Sequence, residues 1–151
     1  MKNGETAAFA HRIWPARAAA LAPIRREVRR WLEPLEVTPD AEADLVLAVN
    51  EAASNIIDHA YPASTDGAVI ELFLWTEPGA VVLEVVDHGR WRPPDPEKTG
   101  RGRGIAIMQR LVEAVLIHHD AHGTRVLLRH PIPGHARTIT PHHPASGAGT
   151  P

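Results

Sequence analysis

Glu51 and Asn55 stand four residues apart in the stretch AVNEAASNII, so on a helix they share one face. A carboxylate there can take a proton from a hydroxyl. An amide oxygen beside it can join a hard cation that keeps most of its waters and phosphate oxygens. Taken alone, the pair also fits an ordinary polar helix face. Further on, Asp87-His88-Gly89 closes the apolar run VVLEVV. A carboxylate at that strand end can accept a hydrogen bond from an exocyclic amine such as that of adenine, and a glycine beside it lets the backbone approach a flat ring. Asp-x-Gly is equally a common strand-ending turn. The third feature is the run Gly100-Arg101-Gly102-Arg103-Gly104, which opens a helical stretch. Glycine-rich backbone N–H groups and a helix N-terminus together favour phosphate. From Arg90 to Arg103, five basic residues stand against two acidic ones, in a chain whose formal charge is −2. That local excess suits a polyphosphate, and a flexible basic loop would show it too.

Other chemistries find no framework. There is no G-x-x-x-x-G-K-[ST] and no G-x-G-x-x-G directly after a strand, which removes a P-loop and makes a Rossmann site a poor fit. There is no G-x-S-x-G for a hydrolase. The ten histidines, including His118, His119 and His122, are not framed by helical ligand spacing or an acidic set. With no cysteine, disulfides and thiolate chemistry are excluded. The near-neutral charge offers no global basis for binding nucleic acid or acidic membranes. No stretch approaches the roughly 18 apolar residues of a membrane span, and the first residues lack a signal-peptide pattern. The expectation is a soluble cytoplasmic protein.

The elements that must position these residues are legible from periodicity. Ala8–Trp14 reads as a short strand, with Pro15 suited to a helix start. Leu21, Ile24, Val28, Trp31, Leu32 and Leu35 mark one apolar helix face, with Arg25, Arg26, Arg29 and Arg30 between them. Those arginines are expected on a solvated face, with partner binding as the alternative. Thr38-Pro39-Asp40 starts a second helix that runs to about His59 and is stopped by Tyr61-Pro62. Ala68–Trp75 and Ala80–Val86 read as strands joined at Glu77-Pro78-Gly79. His88–Gly104 reads as a loop, Ile105–Glu113 as a helix, and Ala114–His119 with Thr124–Arg129 as a last pair of strands. Helices gathered against a mixed, mostly antiparallel sheet predict a two-layer α+β sandwich with helices on one face. This domain would cover residues 1–130, and the proline-, glycine- and histidine-rich residues 131–151 would form a disordered tail.

The order Glu-x-x-x-Asn on a helix, Asp-x-Gly after a strand and Gly-x-Gly opening a helix resembles the GHKL (histidine-kinase-like) ATPases. The segments IRREVRRWL, AVNEAASNIIDHAY, GRGIAIMQRLVEAV and HGTRVLL are most similar to the anti-sigma-factor serine/threonine-protein kinases. The resemblance covers about residues 8–130. It implies a Bergerat-type fold that binds ATP and Mg2+. By position, Asn55 would ligand magnesium and Glu51 would be the general base. Asp87 with Gly89 would read the adenine amine, supported by Thr124. Gly102 and Gly104 would offer backbone to the phosphates, and Arg101 or Arg103 would reach the terminal phosphate. The implied activity is phosphorylation of a STAS-domain anti-anti-sigma partner together with sequestration of a sigma factor, and a homodimer is compatible with it. Trp91 departs from the pattern, standing where the family often has a second glycine. That departure motivates the alternative of a nucleotide-dependent binding module without kinase activity.

Overall fold

A computed structural model describes residues 9–62, 65–89 and 103–132. Strand β1 (Ala10–Pro15) leads through a 3-10 turn into helix α1 (Leu21–Leu32), which buries Ile24, Val28, Trp31 and Leu32 at the predicted spacing. Helix α2 (Pro39–Asn55) begins as its signal requires. The Thr38 hydroxyl accepts from the Ala41 N–H at 3.2 Å, Pro39 occupies the first position, and Asp40 and Glu42 face the positive end of the helix dipole. Its buried face mixes Leu45, Val46 and Val49 with Ala48, Ala52 and Ala53. After Asn55 the helix continues as a π-turn over Ile56–Ala60, and Tyr61 returns the chain to extended backbone.

Strands β2 (Val69–Glu77) and β3 (Ala80–Asp87) form the predicted hairpin. Helix α3 (Arg103–Leu111) precedes β4 (Ala114–Asp120) and β5 (Gly123–Pro131). The sheet order is β1-β2-β3-β5-β4, antiparallel at every pairing. The three helices lie on one face. Ile24, Val28, Leu45 and Val49 meet Ile70, Leu72, Leu74, Leu83 and Leu128 there in one core. Each such side chain stabilises the fold by about 1.5–3 kcal/mol relative to exposure. The α+β two-layer sandwich is therefore the observed fold. No helix among the described residues is long and apolar enough to cross a membrane.

No described helix lies on the opposite face of the sheet. Phe9 packs on Phe73 and Trp75, with ring centroids 6.0 and 6.5 Å apart, and His11 stacks on Phe73 at 4.2 Å. Arg125 pairs with Glu84 at 2.6 Å, and Glu71 stands between His11 (3.0 Å) and His88 (2.6 Å).

Three boundaries differ from expectation for local reasons. Pro15 ends β1 opposite Val69 instead of starting a helix, because an edge strand tolerates a missing N–H. Pro131 is the last residue of β5, and the buried Ile132 donates its N–H to Gly79 O at 2.9 Å, so β5 and its backbone contacts run two residues past 130. Helix α3 starts at Arg103 and not at Ile105. The expected tail from residue 133 on, and the loop residues 90–102, lie outside the described residues.

Candidate functional site

Among the described polar and charged residues, Asp87 alone is buried, at 3% exposure. It ends the central strand, where the register sets it opposite Thr124 of β5. Its carboxylate accepts the Gly89 N–H at 2.9 Å and a further backbone N–H from Thr124. Burial pushes its pKa above the ordinary aspartate value, and those two N–H groups and the nearby His88 draw it only partly back. Thr124 thus supports Asp87 through its main chain.

Two glycines let the backbone close around this carboxylate. A Cβ on Gly89 would overlap the carbonyl of Ala60, the last residue of the π-turn. Gly123, at φ +140°, lies where a Cβ would strike the Asp87 carbonyl. The π-turn therefore presses directly on the exit of β3, and the start of β5 presses from the other side.

The second half of the site is the meeting of α2 with α3. A Cβ on Gly104 would stand 3.0 Å from Asn55 Nδ2 and 3.3 Å from Asn55 Oδ1. The half-buried Asn55 amide thus fills the space that a side chain at the start of α3 would need. The Glu51 side chain, one turn earlier on α2 and also half-buried, makes no hydrogen bond or ion pair with a described residue. Where α1 packs on α2, Arg25 donates to Asn50 Oδ1 at 2.8 Å, which ties α1 to the helix that carries Glu51 and Asn55.

The structure thus brings Asp87, Gly89 and Thr124 together, and Asn55 with Gly104. Arg101 and Gly102 fall outside the described residues, and of Arg103 only its place as the first residue of α3 is described. Sequence reasoning missed Tyr61, which it took only as the stop of a helix. Its hydroxyl donates to Val69 O at 2.8 Å and accepts the His88 N–H at 2.9 Å. The signal available in the sequence was weak: it is the chain's single tyrosine, following the helix box. No group of three or more His, Asp or Glu side chains among the described residues is placed to hold a metal ion by itself. A cation held here by Asn55 would have to draw most of its ligands from water and phosphate, which is the habit of magnesium. A hollow of about 110 Å3 lined by Asp87, Gly123, His88, His118, His122 and Arg125 falls short of the ~300 Å3 of a ligand pocket.

A buried carboxylate at the end of the central antiparallel strand, with Asn55 of α2 set against Gly104 of α3, fits a histidine kinase-like ATPase domain. The chain belongs to that family, whose match spans residues 14–130. Curated relatives include the anti-sigma F factors of two Clostridium botulinum strains. That of Eklund 17B (type B) is 29% identical and that of Alaska E43 (type E3) 28% identical, each over 117 residues, covering 70% of this chain and 81% of the relative. Among solved structures, the RsbU and RsbW domains of Rv1364c from Mycobacterium tuberculosis match at TM-score 0.65 and 28% identity. That match covers 88% of this chain, which spans only 35% of the longer structure. The histidine kinase domain of the Erythrobacter litoralis EL346 blue-light-activated kinase matches at TM-score 0.54 and 20% identity, over 78% of this chain and 61% of its own, and shares the fold.

Proposed function

We propose that this chain is a cytoplasmic, ATP-binding anti-sigma factor and serine-protein kinase, which phosphorylates a STAS-domain anti-anti-sigma partner and sequesters a sigma factor. The observation that carries the reading is the paired geometry of the two ends of the site. Asp87 is held as a buried acceptor at one end, and Asn55 lies against the glycine start of α3 at the other. The anti-sigma names of the curated relatives support the partner assignment.

In this reading Asp87 accepts the adenine amine, which a guanine carbonyl at the same place could not provide. Gly89 fixes that carboxylate through its N–H and leaves its side-chain space to the Ala60 carbonyl. Gly104 and Gly102 offer main-chain N–H groups at the positive end of α3 to the phosphates, and Arg101 or Arg103 faces the terminal phosphate. Asn55 would hold magnesium, which when bound neutralises charge on the phosphates. Glu51 takes the proton of the accepting serine as its oxygen bonds to the γ-phosphorus and the bond to ADP breaks. Positioning and charge neutralisation supply most of the acceleration.

The test is Glu51→Ala with γ-labelled ATP and the cognate STAS protein. Phosphotransfer should fall on the order of 100-fold or more while ATP binding persists, since a positioned base contributes about 10²–10⁴. Undiminished transfer would remove Glu51 as the base. Trp91, in place of a second glycine, favours one other reading, a nucleotide-dependent binding module. It predicts ATP-sensitive partner binding with no labelled product in the same assay.

A further inference from the structure

The β2–β3 ladder ends earlier than its register requires. The pairs run from Glu77↔Ala80 to Glu71↔Val86, and two more residues of the same register would set Val69 opposite His88. Both residues carry main-chain groups able to make that rung, yet they do not meet directly. The Tyr61 hydroxyl stands between them, accepting the His88 N–H at 2.9 Å and donating to the Val69 carbonyl at 2.8 Å. A side-chain oxygen has replaced a main-chain rung. It keeps both groups satisfied while holding the strands apart, one residue beyond Asp87. The same tyrosine follows directly on the π-turn whose Ala60 carbonyl abuts Gly89. The backbone on the far side of Asp87 is therefore located twice by one segment, through the phenol at residue 88 and through the carbonyl at residue 89.

We propose that Tyr61 is a positioning residue for base selection: its hydroxyl rung sets where the Asp87 carboxylate stands, and so sets the preference for adenine over guanine. This rests on the reading of Asp87 as the adenine acceptor. With the phenol oxygen gone, Val69 and His88 can close their own rung. That draws the end of β3 toward β2 and carries the carboxylate away from the place where an exocyclic amine meets it. Groups that hold the phosphates lie on α2 and α3 and do not depend on this rung.

The test compares wild type with Tyr61→Phe, titrated by calorimetry with ATP, GTP and inorganic tripolyphosphate, each with magnesium. The expected result is ATP binding weakened on the order of tenfold, the scale of one well-placed hydrogen bond to a charged group, with GTP and tripolyphosphate within about twofold of wild type. An equal loss for all three ligands would make the tyrosine merely structural and overturn the proposal, as would unchanged ATP binding. His88→Ala, which keeps the main-chain N–H on the phenol and removes only the ring, should retain the ATP preference; if it loses as much as Tyr61→Phe, the role belongs to the His88 ring. Because Tyr61 is the chain's single tyrosine, 3-fluorotyrosine labels it alone without truncation. Its fluorine resonance should move with ATP and stay put with tripolyphosphate, and the reverse would sink the idea even if Tyr61→Phe does not fold. A wild type that shows no preference for ATP over GTP would instead overturn the adenine reading of Asp87, and the role of Tyr61 with it.

Discussion

At the scale of single residues, two carboxylates on neighbouring strands have pKa values shifted in opposite directions. Asp87 has its pKa raised by burial, so the folded chain holds that proton more tightly than the unfolded chain does. Its contribution favours folding below the ordinary aspartate value near 3.8 and is lost as pH rises through the raised folded value. At neutral pH the buried charge therefore lowers stability. Asp87→Asn keeps an acceptor for the Gly89 and Thr124 N–H groups without the charge. Melting curves should show it more stable than wild type at pH 7.5, with the advantage shrinking as pH falls toward 4, while its ATP affinity drops. A variant less stable than wild type at pH 7.5 would contradict this account. Glu71 is the converse. Burial alone would raise its pKa, but hydrogen bonds from His88 and His11 outweigh that and hold it below the usual range. Its stabilisation is present above the ordinary value near 4.5 and is lost as pH falls through the lowered one. Glu71→Gln should therefore destabilise the fold at neutral pH and lose that effect in strong acid.

At the scale of elements, the site depends on close approaches between backbone segments. Gly89→Ala forces a methyl group into the Ala60 carbonyl, and neither a strand end nor a π-turn can yield cheaply. A loss of about 3 kcal/mol or more is expected in a denaturant melt. Gly104→Ala tests a different balance. The substitution gains up to about 1 kcal/mol of helix propensity, and the atom it meets at 3.0 Å is the movable end of the Asn55 side chain. Stability should stay within about 1 kcal/mol of wild type, while magnesium-dependent ATP affinity falls because Asn55 is displaced. Thr38→Ala, at the far end of α2, should cost about 1 kcal/mol through loss of the cap and leave nucleotide selectivity untouched.

At the scale of the whole molecule, a nucleotide held as proposed by Asp87 on the sheet and Asn55 on the helical layer would tie together parts that packing alone otherwise holds. Magnesium-ATP at about 100 times its dissociation constant should add roughly 2.7 kcal/mol to the unfolding free energy. At the same concentration the increment should be smaller for GTP if the base end is read as proposed. A wild type whose melting temperature does not move with magnesium-ATP would end the nucleotide reading altogether.

Much of this was legible along the chain. Apolar periodicity placed the helices and strands because burial of one face at a fixed repeat is a local property of sequence. The proline and threonine before α2 announced its start for the same reason. The residues with chemical potential could also be named, since Glu51 and Asn55 share a face by helix geometry alone, and Asp87 ends an apolar strand. Distances between segments far apart in sequence could not be read. That Gly104 makes room for Asn55, that Ala60 rests on Gly89, that Thr124 supplies a backbone N–H, and that a tyrosine oxygen replaces a strand rung all depend on how the layers pack. A residue's own type does not encode the neighbour that the fold brings to it. Tyr61 ended a helix in the sequence; only the tertiary structure set its hydroxyl beside the residue after Asp87.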